Sequence, residues 1–178
     1  SLVVHQCFRM AGESIDYKPA MNHGGEVRVI GKKEIIGTQN QFSPTASYLI
    51  KKEVFQILPE WVESAPVGDY FLECYSLKLG NIIYMPEVLS IYRVNAIGSW
   101  SADTLTSGGK RSKFSSKMYE SLKLMNKDEF FRNSNLERKM SAALLDMAVG
   151  ELTLKNYSRF KESIDKSYSL YSELSKAQ

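Results

Sequence analysis

The spacing of the apolar side chains changes once along this chain of 178 residues, and that change limits what the chain can fold into. Up to about residue 100, the apolar residues alternate or form short runs, which is typical of strands in a half-buried sheet. After Lys113 they recur at intervals of three and four residues, which indicates amphipathic helices. We therefore predict a mixed α/β portion over residues 1–100, a flexible loop over 101–112 and an all-helical extension over 113–178.

Glycine, proline and polar clusters divide these portions into elements. The predicted strands are Leu2–Phe8, Glu26–Ile30, Thr45–Ile50, Asn81–Met85 and Val88–Val94. Short helices are predicted at Lys52–Leu58 and Asp69–Leu79, and the stretch Ala11–Gly25 is predicted to be a loop. In the extension, Ser134–Glu137 matches a capping box and predicts that a helix begins at Ser134.

The predicted helix at residue 69 follows the unusual stretch Ser64–Leu72, which reads SAPVGDYFL. Pro66 and Gly68 interrupt regular structure and Asp69 is a preferred N-cap residue, so a helix should begin there. An acid in this place is most often only a cap. The neighbouring acids, which we expect on a solvated surface, are Glu60, Glu63 and Glu73.

Residues 95–112, between the two portions, are rich in glycine, serine and threonine and include Trp100. Loops of this length are uncommon and usually act as lids or linkers. Trp100 predicts a loop that closes over a ligand, and the alternative is a tryptophan that covers an unrelated apolar patch. We expect residues 96–112 to be mobile without a ligand and to become ordered when one binds.

Composition excludes several classes of function. The chain has 23 basic and 20 acidic residues, an excess too small to indicate binding to nucleic acid or to an anionic membrane. Its 43% hydrophobic content is typical of a globular protein, and no apolar run approaches the roughly 18 residues of a membrane span. Cys7 and Cys74 lie in apolar segments, which predicts buried, reduced thiols and a cytoplasmic setting.

Several common chemistries lack the residues they need. The pairs Gly24–Gly25 and Gly108–Gly109 have neither the strand–helix context nor the adjacent lysine and hydroxyl residues of a phosphate-binding loop. His5 and His23 are far apart and have no third partner that would suggest zinc. Cys74 lies inside a predicted helix, away from the N-terminus that activates a thiolate. We therefore assign no metal-binding residue.

One ordered set of segments is more specific than any of its parts. Its members are Phe42–Lys52, Leu58–Trp61, Pro66–Leu72, Leu79–Glu87, Val88–Val94 and Gly98–Ser101. In this order and spacing, the set closely resembles the second half of bacterial family 2 glycosyltransferases, which have the GT-A fold. The resemblance covers residues 38–101 well and residues 1–37 weakly. It implies a partial GT-A-like sheet with flanking helices, and a transferase that moves a sugar from a nucleotide-sugar donor to a saccharide or lipid-linked acceptor in the synthesis of cell-surface polysaccharide or glycoconjugates.

The resemblance also implies roles for individual residues. Asp69 occupies the position of the family's catalytic base, which takes the proton of the acceptor hydroxyl in an inverting transfer. Gly68 stands in place of the first acid of the family's pair. The implied acceptor-side residues are Thr45, Ser47, Trp61 and Tyr70. The residues implied near the donor diphosphate and its lid are Arg93, Asn95 and Trp100, and Asn95 replaces a histidine that is frequent in relatives.

The chain has no counterpart of the N-terminal half with which the family binds the nucleotide-sugar donor. That half carries an Asp-x-Asp motif, which holds a divalent cation (Mg or Mn) on the donor phosphates, whereas every aspartate here is isolated. A strand that starts at Leu2 also favours a fragment of a longer enzyme. Without the donor half, the fragment alone is expected to be inactive. The intact enzyme is expected in the cytoplasm or at the inner face of the membrane. The alternative is a non-catalytic binding or scaffold domain whose helical tail docks a partner. Both a monomer and a homodimer formed through an open sheet edge fit the sequence.

Overall fold

The computed structural model describes residues 1–38, 41–94 and 107–171, and these fall into two compact units. The first unit comprises residues 1–62 and 67–94, and the second comprises residues 63–66 and 107–171. The predicted mixed α/β class is confirmed, with strands in the first unit and helices in both. Asn95, Trp100 and the larger part of the predicted loop lie outside the described residues.

The first unit contains a mixed sheet of five strands. The strands are β1 (Leu2–Ala11), β2 (Ser14–Ala20), β3 (Arg28–Ile30), β4 (Leu49–Ile50) and β5 (Ile82–Val94). Their order is β2-β1-β5-β3, and β4 pairs with β1 beside this path. The two long strands β1 and β5 are parallel, and the three short strands pair antiparallel to them.

Strand β5 runs through Pro86, where the sequence predicts a break between two strands. His5 of β1 pairs with Met85, whereas the next residue, Gln6, pairs with Val88. Pro86 and its neighbour therefore form a bulge, which leaves the proline outside the ladder that its missing N–H could not join. The prediction of two strands was wrong because a bulge accommodates the proline without ending the strand.

Two other predictions of local structure were wrong. The stretch Ala11–Gly25, predicted as a loop, contains β2, which β1 reaches through a turn with Gly12 at φ +60°. Most side chains of β2 are exposed, so no apolar alternation signals this edge strand. In the predicted strand Thr45–Ile50, residues Thr45–Ser47 form a 3-10 turn and only Leu49–Ile50 belongs to the sheet.

Three helices accompany the sheet, namely α1 (Lys32–Gly37), α2 (Glu53–Gln56) and α3 (Asp69–Ser76). Helix α3 contacts both α1 and α2, and it ends at Ser76 rather than at the predicted Leu79. The core of the unit combines strand and helix residues that are wholly buried. They include Leu2, Val4, Ile35, Val54, Phe71, Cys74, Ile82 and Tyr84. Cys7 and Cys74 are buried and form no disulfide within the described residues, in agreement with the predicted buried thiols.

From residue 107 to residue 171, the regular elements of the second unit are all helices, as predicted. Its helices are α4 (Gly108–Met125), α5 (Ser134–Thr153) and α6 (Tyr157–Leu170), and α5 contacts both others. The capping residue of α5 is Asn133, whose side chain accepts the N–H of Leu136 at 3.0 Å, and not the predicted Ser134. No described helix is both long enough and apolar enough to cross a bilayer.

Two glycines bring the backbones of α4 and α5 into contact. A Cβ atom on Gly150 would lie 2.8 Å from the carbonyl oxygen of Gly108 and 2.8 Å from the amide nitrogen of Ser112. No side chain fits there, so the crossing requires glycine. Helix α4 begins at Gly108 and is capped by Ser107, so the predicted loop 101–112 is wrong over its last residues. Glycine disfavours helix in isolation, which is why the sequence predicts a loop there.

Candidate functional site

Helix α3 places Asp69 at its N-terminal end. Gly68 stands at the N-cap, and Asp69 is the first helical residue rather than the predicted N-cap itself. The Asp69 Oδ1 atom accepts the N–H of Tyr70 at 2.8 Å, and the side chain is partly exposed. A negative charge in the first turn of a helix is stabilised by the free N–H groups and the dipole at that end. The structure thus presents one accessible carboxylate on a helix start.

Glu73 lies one helical turn further along α3, and its side chain is completely buried. Its Oε2 atom accepts the backbone N–H of Phe42 at 2.7 Å. Its Oε1 atom accepts the backbone N–H of Ser43 at 2.9 Å and the hydroxyl of Tyr48 at 2.5 Å. The prediction that Glu73 lies on a solvated surface was wrong, because three donors replace the water that the carboxylate loses.

Burial dominates the electrostatics of this cluster. It raises the pKa of the Glu73 carboxyl from 4.5 to about 7, although the three donors favour the ionised form and oppose the rise. The charge of Asp69 adds to the increase, so the two acids of α3 interact electrostatically. Burial, followed by the charge of Glu73, raises the pKa of Tyr48 far above its ordinary value. The phenol therefore stays protonated and donates to Glu73.

The segment that binds Glu73 is fixed from its other side by His23. The imidazole is stacked on the Phe42 ring, with 3.7 Å between centroids, and His23 Nε2 lies 2.8 Å from the carbonyl oxygen of Phe42. Burial lowers the pKa of His23, so the neutral ring donates its Nε2–H to that carbonyl. The hydroxyl of Tyr84 accepts the backbone N–H of His23 at 3.3 Å and donates to the Gly24 carbonyl at 3.0 Å. Strand β5 and α3 are thereby joined through one polar network.

The residues predicted for the acceptor side have different surroundings. Trp61 is partly buried and packs edge-on against Phe71 of α3, with 5.0 Å between ring centroids. Tyr70 is only 2% exposed, and its hydroxyl donates to the Ile36 carbonyl at 3.4 Å, so it does not face solvent. Ser47 is buried and donates to the Pro44 carbonyl at 2.7 Å. Of these three residues, Trp61 alone keeps a partly exposed side chain.

The other predicted residues are less closely tied to α3. Thr45 is exposed in the 3-10 turn that precedes Tyr48. Arg93 is exposed near the end of β5, and within the described residues it forms no ion pair. Asn95 and Trp100 lie outside the described ranges. Asp69 and Tyr70 are adjacent on α3, whereas Trp61 packs against Phe71 and Tyr75 on a different face of that helix.

Sequence reasoning missed Glu73, Tyr48 and His23. A signal for Glu73 was present, because position 73 shares the face of α3 that carries Tyr70 and Cys74. An acid on the apolar face of a helix indicates a buried, hydrogen-bonded carboxylate. Its partners come from the backbone of residues 42–43, and no pattern of residue types predicts a backbone donor. The site could therefore be suspected from sequence but not completed.

Within the part of the chain that the structure describes, the divalent cation implied by the resemblance has no fitting ligand set. Across residues 1–38, 41–94 and 107–171, no three side chains of histidine, cysteine, aspartate or glutamate are grouped closely enough to hold a metal ion. Glu73 already accepts three hydrogen bonds, which leaves its oxygens committed. No step is assigned to a cation here. The described residues offer a carboxylate that can take a proton, on a helix fixed by a buried network.

Comparisons with known proteins add no assignment to this site. No protein-family model, no curated protein and no solved structure matches the chain. The chemistry of the site therefore rests on the geometry of α3 and of the segments bonded to it.

Proposed function

We propose that the chain is the acceptor-side part of an inverting glycosyltransferase, in which Asp69 is the general base. The observation that carries the proposal is the contrast along α3 between an accessible carboxylate at its start and a buried, anchored one a turn later. The resemblance to family 2 glycosyltransferases supplies the reaction class. A general base must be accessible to substrate and held in one place, and Asp69 meets both conditions.

In the proposed step, an acceptor hydroxyl attacks the anomeric carbon of a nucleotide-sugar. The new glycosidic bond forms as the bond to the leaving diphosphate oxygen breaks, and the attack inverts the anomeric configuration. Asp69 takes the proton of the hydroxyl, so the products are the glycoside, the nucleoside diphosphate and a protonated Asp69. The acceptor is a saccharide or a lipid-linked sugar, and the partly exposed ring of Trp61 is suited to pack on a sugar face.

Glu73 has a positioning role in this proposal. It links α3 to residues 42–43 and to Tyr48, and it does so from one turn below Asp69. Such a link restricts movement of the helix start, and small displacements of a catalytic group reduce rates strongly. Glu73 is buried, so it does not touch the substrate itself.

The donor and its cation belong, in this proposal, to a part of the enzyme beyond these 178 residues. The chain alone should therefore be inactive. The enzyme is proposed to act in the cytoplasm or at the inner face of the membrane, where nucleotide-sugars would reach it.

The test is release of nucleoside diphosphate from a panel of nucleotide-sugars by the longest natural form of the protein, with the 178-residue chain as control. Release that needs both the longer form and an acceptor extract supports the proposal. A longer form that consumes no nucleotide-sugar, with magnesium or manganese present, contradicts it and favours a non-catalytic scaffold.

A further inference from the structure

A cavity of about 380 Å³ lies within the second unit, between α4, the end of α5 and the start of α6. Three cationic side chains line it, namely Lys113 and Lys117 from α4 and Arg159 from α6. One carboxylate, that of Glu151 from α5, is part of the same wall. The cavity therefore has an excess of positive charge, and its volume falls within the range of small-molecule sites.

The floor of the cavity is an ordered polar group. Glu151 is 2% exposed, and its carboxylate accepts the hydroxyl of Ser112 at 2.5 Å and the side-chain N–H of Asn156 at 2.9 Å. The Nη1 atom of Arg159 is 3.4 Å from Glu151 Oε1, an ion pair without a short hydrogen bond. Because the Arg159 side chain is 59% exposed, its remaining donors stay accessible. The buried carboxylate thus orients donors while leaving a net positive wall.

The two lysines of the cavity differ from other cations of this unit. Lys123 pairs with Glu120 at 3.1 Å, and Lys166 pairs with Glu162 at 2.6 Å. Among the described residues, by contrast, neither Lys113 nor Lys117 has a carboxylate partner within ion-pair distance. They stand four residues apart on α4, a spacing at which like charges repel and destabilise the helix. A bound anion would relieve this repulsion.

The first turns of α4 and α6, which both contribute residues to the cavity, also lack acidic residues. The first turns of α1, α2, α3 and α5 each contain an acid, whereas those of α4 and α6 contain none. Helix α6 instead has Arg159 in its first turn, and a cation there opposes the helix dipole. Gly109, at the start of α4, and Asn156, the N-cap of α6, both line the cavity. Residues from both helix starts therefore line the same space as the three cations.

We propose that this cavity binds the phosphate group of a small phosphorylated ligand, independently of the proposed transfer reaction. A phosphate monoester or diphosphate carries more than one negative charge, which matches three cations better than a single carboxylate does. The hydroxyl of Ser116 adds a neutral donor. The volume leaves room for an organic group attached to the phosphate. The same phosphate could come from a soluble metabolite or from a lipid headgroup.

The test measures binding of pyrophosphate by calorimetry, and binding of vesicles that contain phosphatidic acid by co-sedimentation, with phosphatidylcholine vesicles as blank. The variant is K113Q/K117Q. The matched control is K123Q/K127Q, which removes two exposed lysines at the same spacing outside the cavity. We expect the cavity variant to weaken pyrophosphate binding by about tenfold or more and the control by less than about twofold.

The outcomes separate the two sources of the phosphate and can overturn the site. Vesicle binding without pyrophosphate binding, lost only in K113Q/K117Q, assigns the site to a lipid headgroup. Equal binding by wild type and K113Q/K117Q, or no binding of either probe by wild type, overturns the proposal. Thermal unfolding checks the fold, and relief of the repulsion predicts that K113Q/K117Q melts no lower than wild type. If that variant fails to fold, the single variant K113Q carries the same expectation with a smaller loss.

Discussion

At the scale of single residues, α3 holds two carboxylates one turn apart in opposite environments. Glu73 is buried and accepts three hydrogen bonds, whereas Asp69 is partly exposed and accepts the backbone N–H of the adjacent Tyr70. In the proposed function, Asp69 acts on the substrate and Glu73 fixes the helix. This division of roles is what the variants below test.

Loss of the Tyr48 hydroxyl should destabilise the first unit. Tyr48→Phe removes a charge-assisted hydrogen bond to a buried carboxylate, so we expect the free energy of unfolding to fall by about 1–3 kcal/mol. The matched control is Tyr17→Phe, because Tyr17 is 73% exposed and keeps its ring contact with Phe8. Urea unfolding at pH 8 measures the free energy of unfolding of both variants and of wild type. Equal stability of the two variants would show that the contact with Glu73 contributes nothing.

The raised pKa of Glu73 predicts a definite pH dependence of stability. Between about pH 4.5 and 7 the folded protein keeps a proton that the unfolded chain has lost. The stability contributed by Glu73 is therefore complete below pH 4.5 and is lost as the pH rises through about 7. His23 acts in the opposite direction, because burial lowers its pKa, so its contribution grows as the pH rises towards 6.5.

Comparison with Glu73→Gln isolates the glutamate, because both proteins retain His23. We expect the free energy of unfolding of wild type, minus that of the variant, to decrease from pH 5 to pH 8. Denaturant unfolding at several pH values measures this difference. A difference that stays constant or increases would contradict the account of Glu73.

At the scale of elements, Gly108 and Gly150 allow the backbones of α4 and α5 to approach closely. The close approach of α4 and α5 places Ser112 of α4 beside Glu151 of α5. The Ser112 hydroxyl donates to the Glu151 carboxylate at the cavity floor. A larger residue in either position would force the two backbones apart.

Gly150→Ala should therefore destabilise the second unit. The new methyl group would overlap backbone atoms of α4 at 2.8 Å, so we expect a loss of about 1–3 kcal/mol. The control is Gly109→Ala, a helical glycine with open space around its Cβ position, which should be neutral or stabilising by up to about 1 kcal/mol. Thermal and urea unfolding compare the two variants. Similar effects from both would contradict the close crossing.

The sequence predicts elements correctly where buried side chains recur at a regular spacing. Prediction from the sequence fails where contacts of the backbone determine the local structure. Strand β1 and helix α3 were predicted because their buried residues recur regularly. Strand β2 was missed because most of its side chains are exposed, and the bulge at Pro86 was missed because it depends on the partner strand. Helix α4 was predicted to begin late because its first residues are glycines, whose role depends on a second helix. Glu73 was misplaced for the same reason, since its partners are backbone amides of residues distant in sequence.

At the scale of the whole molecule, each unit carries its own polar constellation. The first unit has the Asp69–Glu73 helix, and the second has the cationic cavity around Lys113, Lys117 and Arg159. The proposed transfer reaction uses only the first. Variants in the cavity should therefore change phosphate binding without removing the proposed base, and variants of Asp69 should do the reverse.

The most direct measurement is the turnover of the complete enzyme with Asp69→Asn, alongside donor affinity and melting temperature. Asparagine keeps the size of the side chain, so the helix should lose no more than about 1 kcal/mol of stability. Removal of a general base should slow turnover by roughly a hundredfold or more. The matched control is Glu60→Gln, which neutralises an exposed acid in the same unit and should leave turnover unchanged. The account predicts lost turnover with donor binding and melting temperature retained in Asp69→Asn. Near-normal turnover in that variant, or an equal loss in Glu60→Gln, would contradict it.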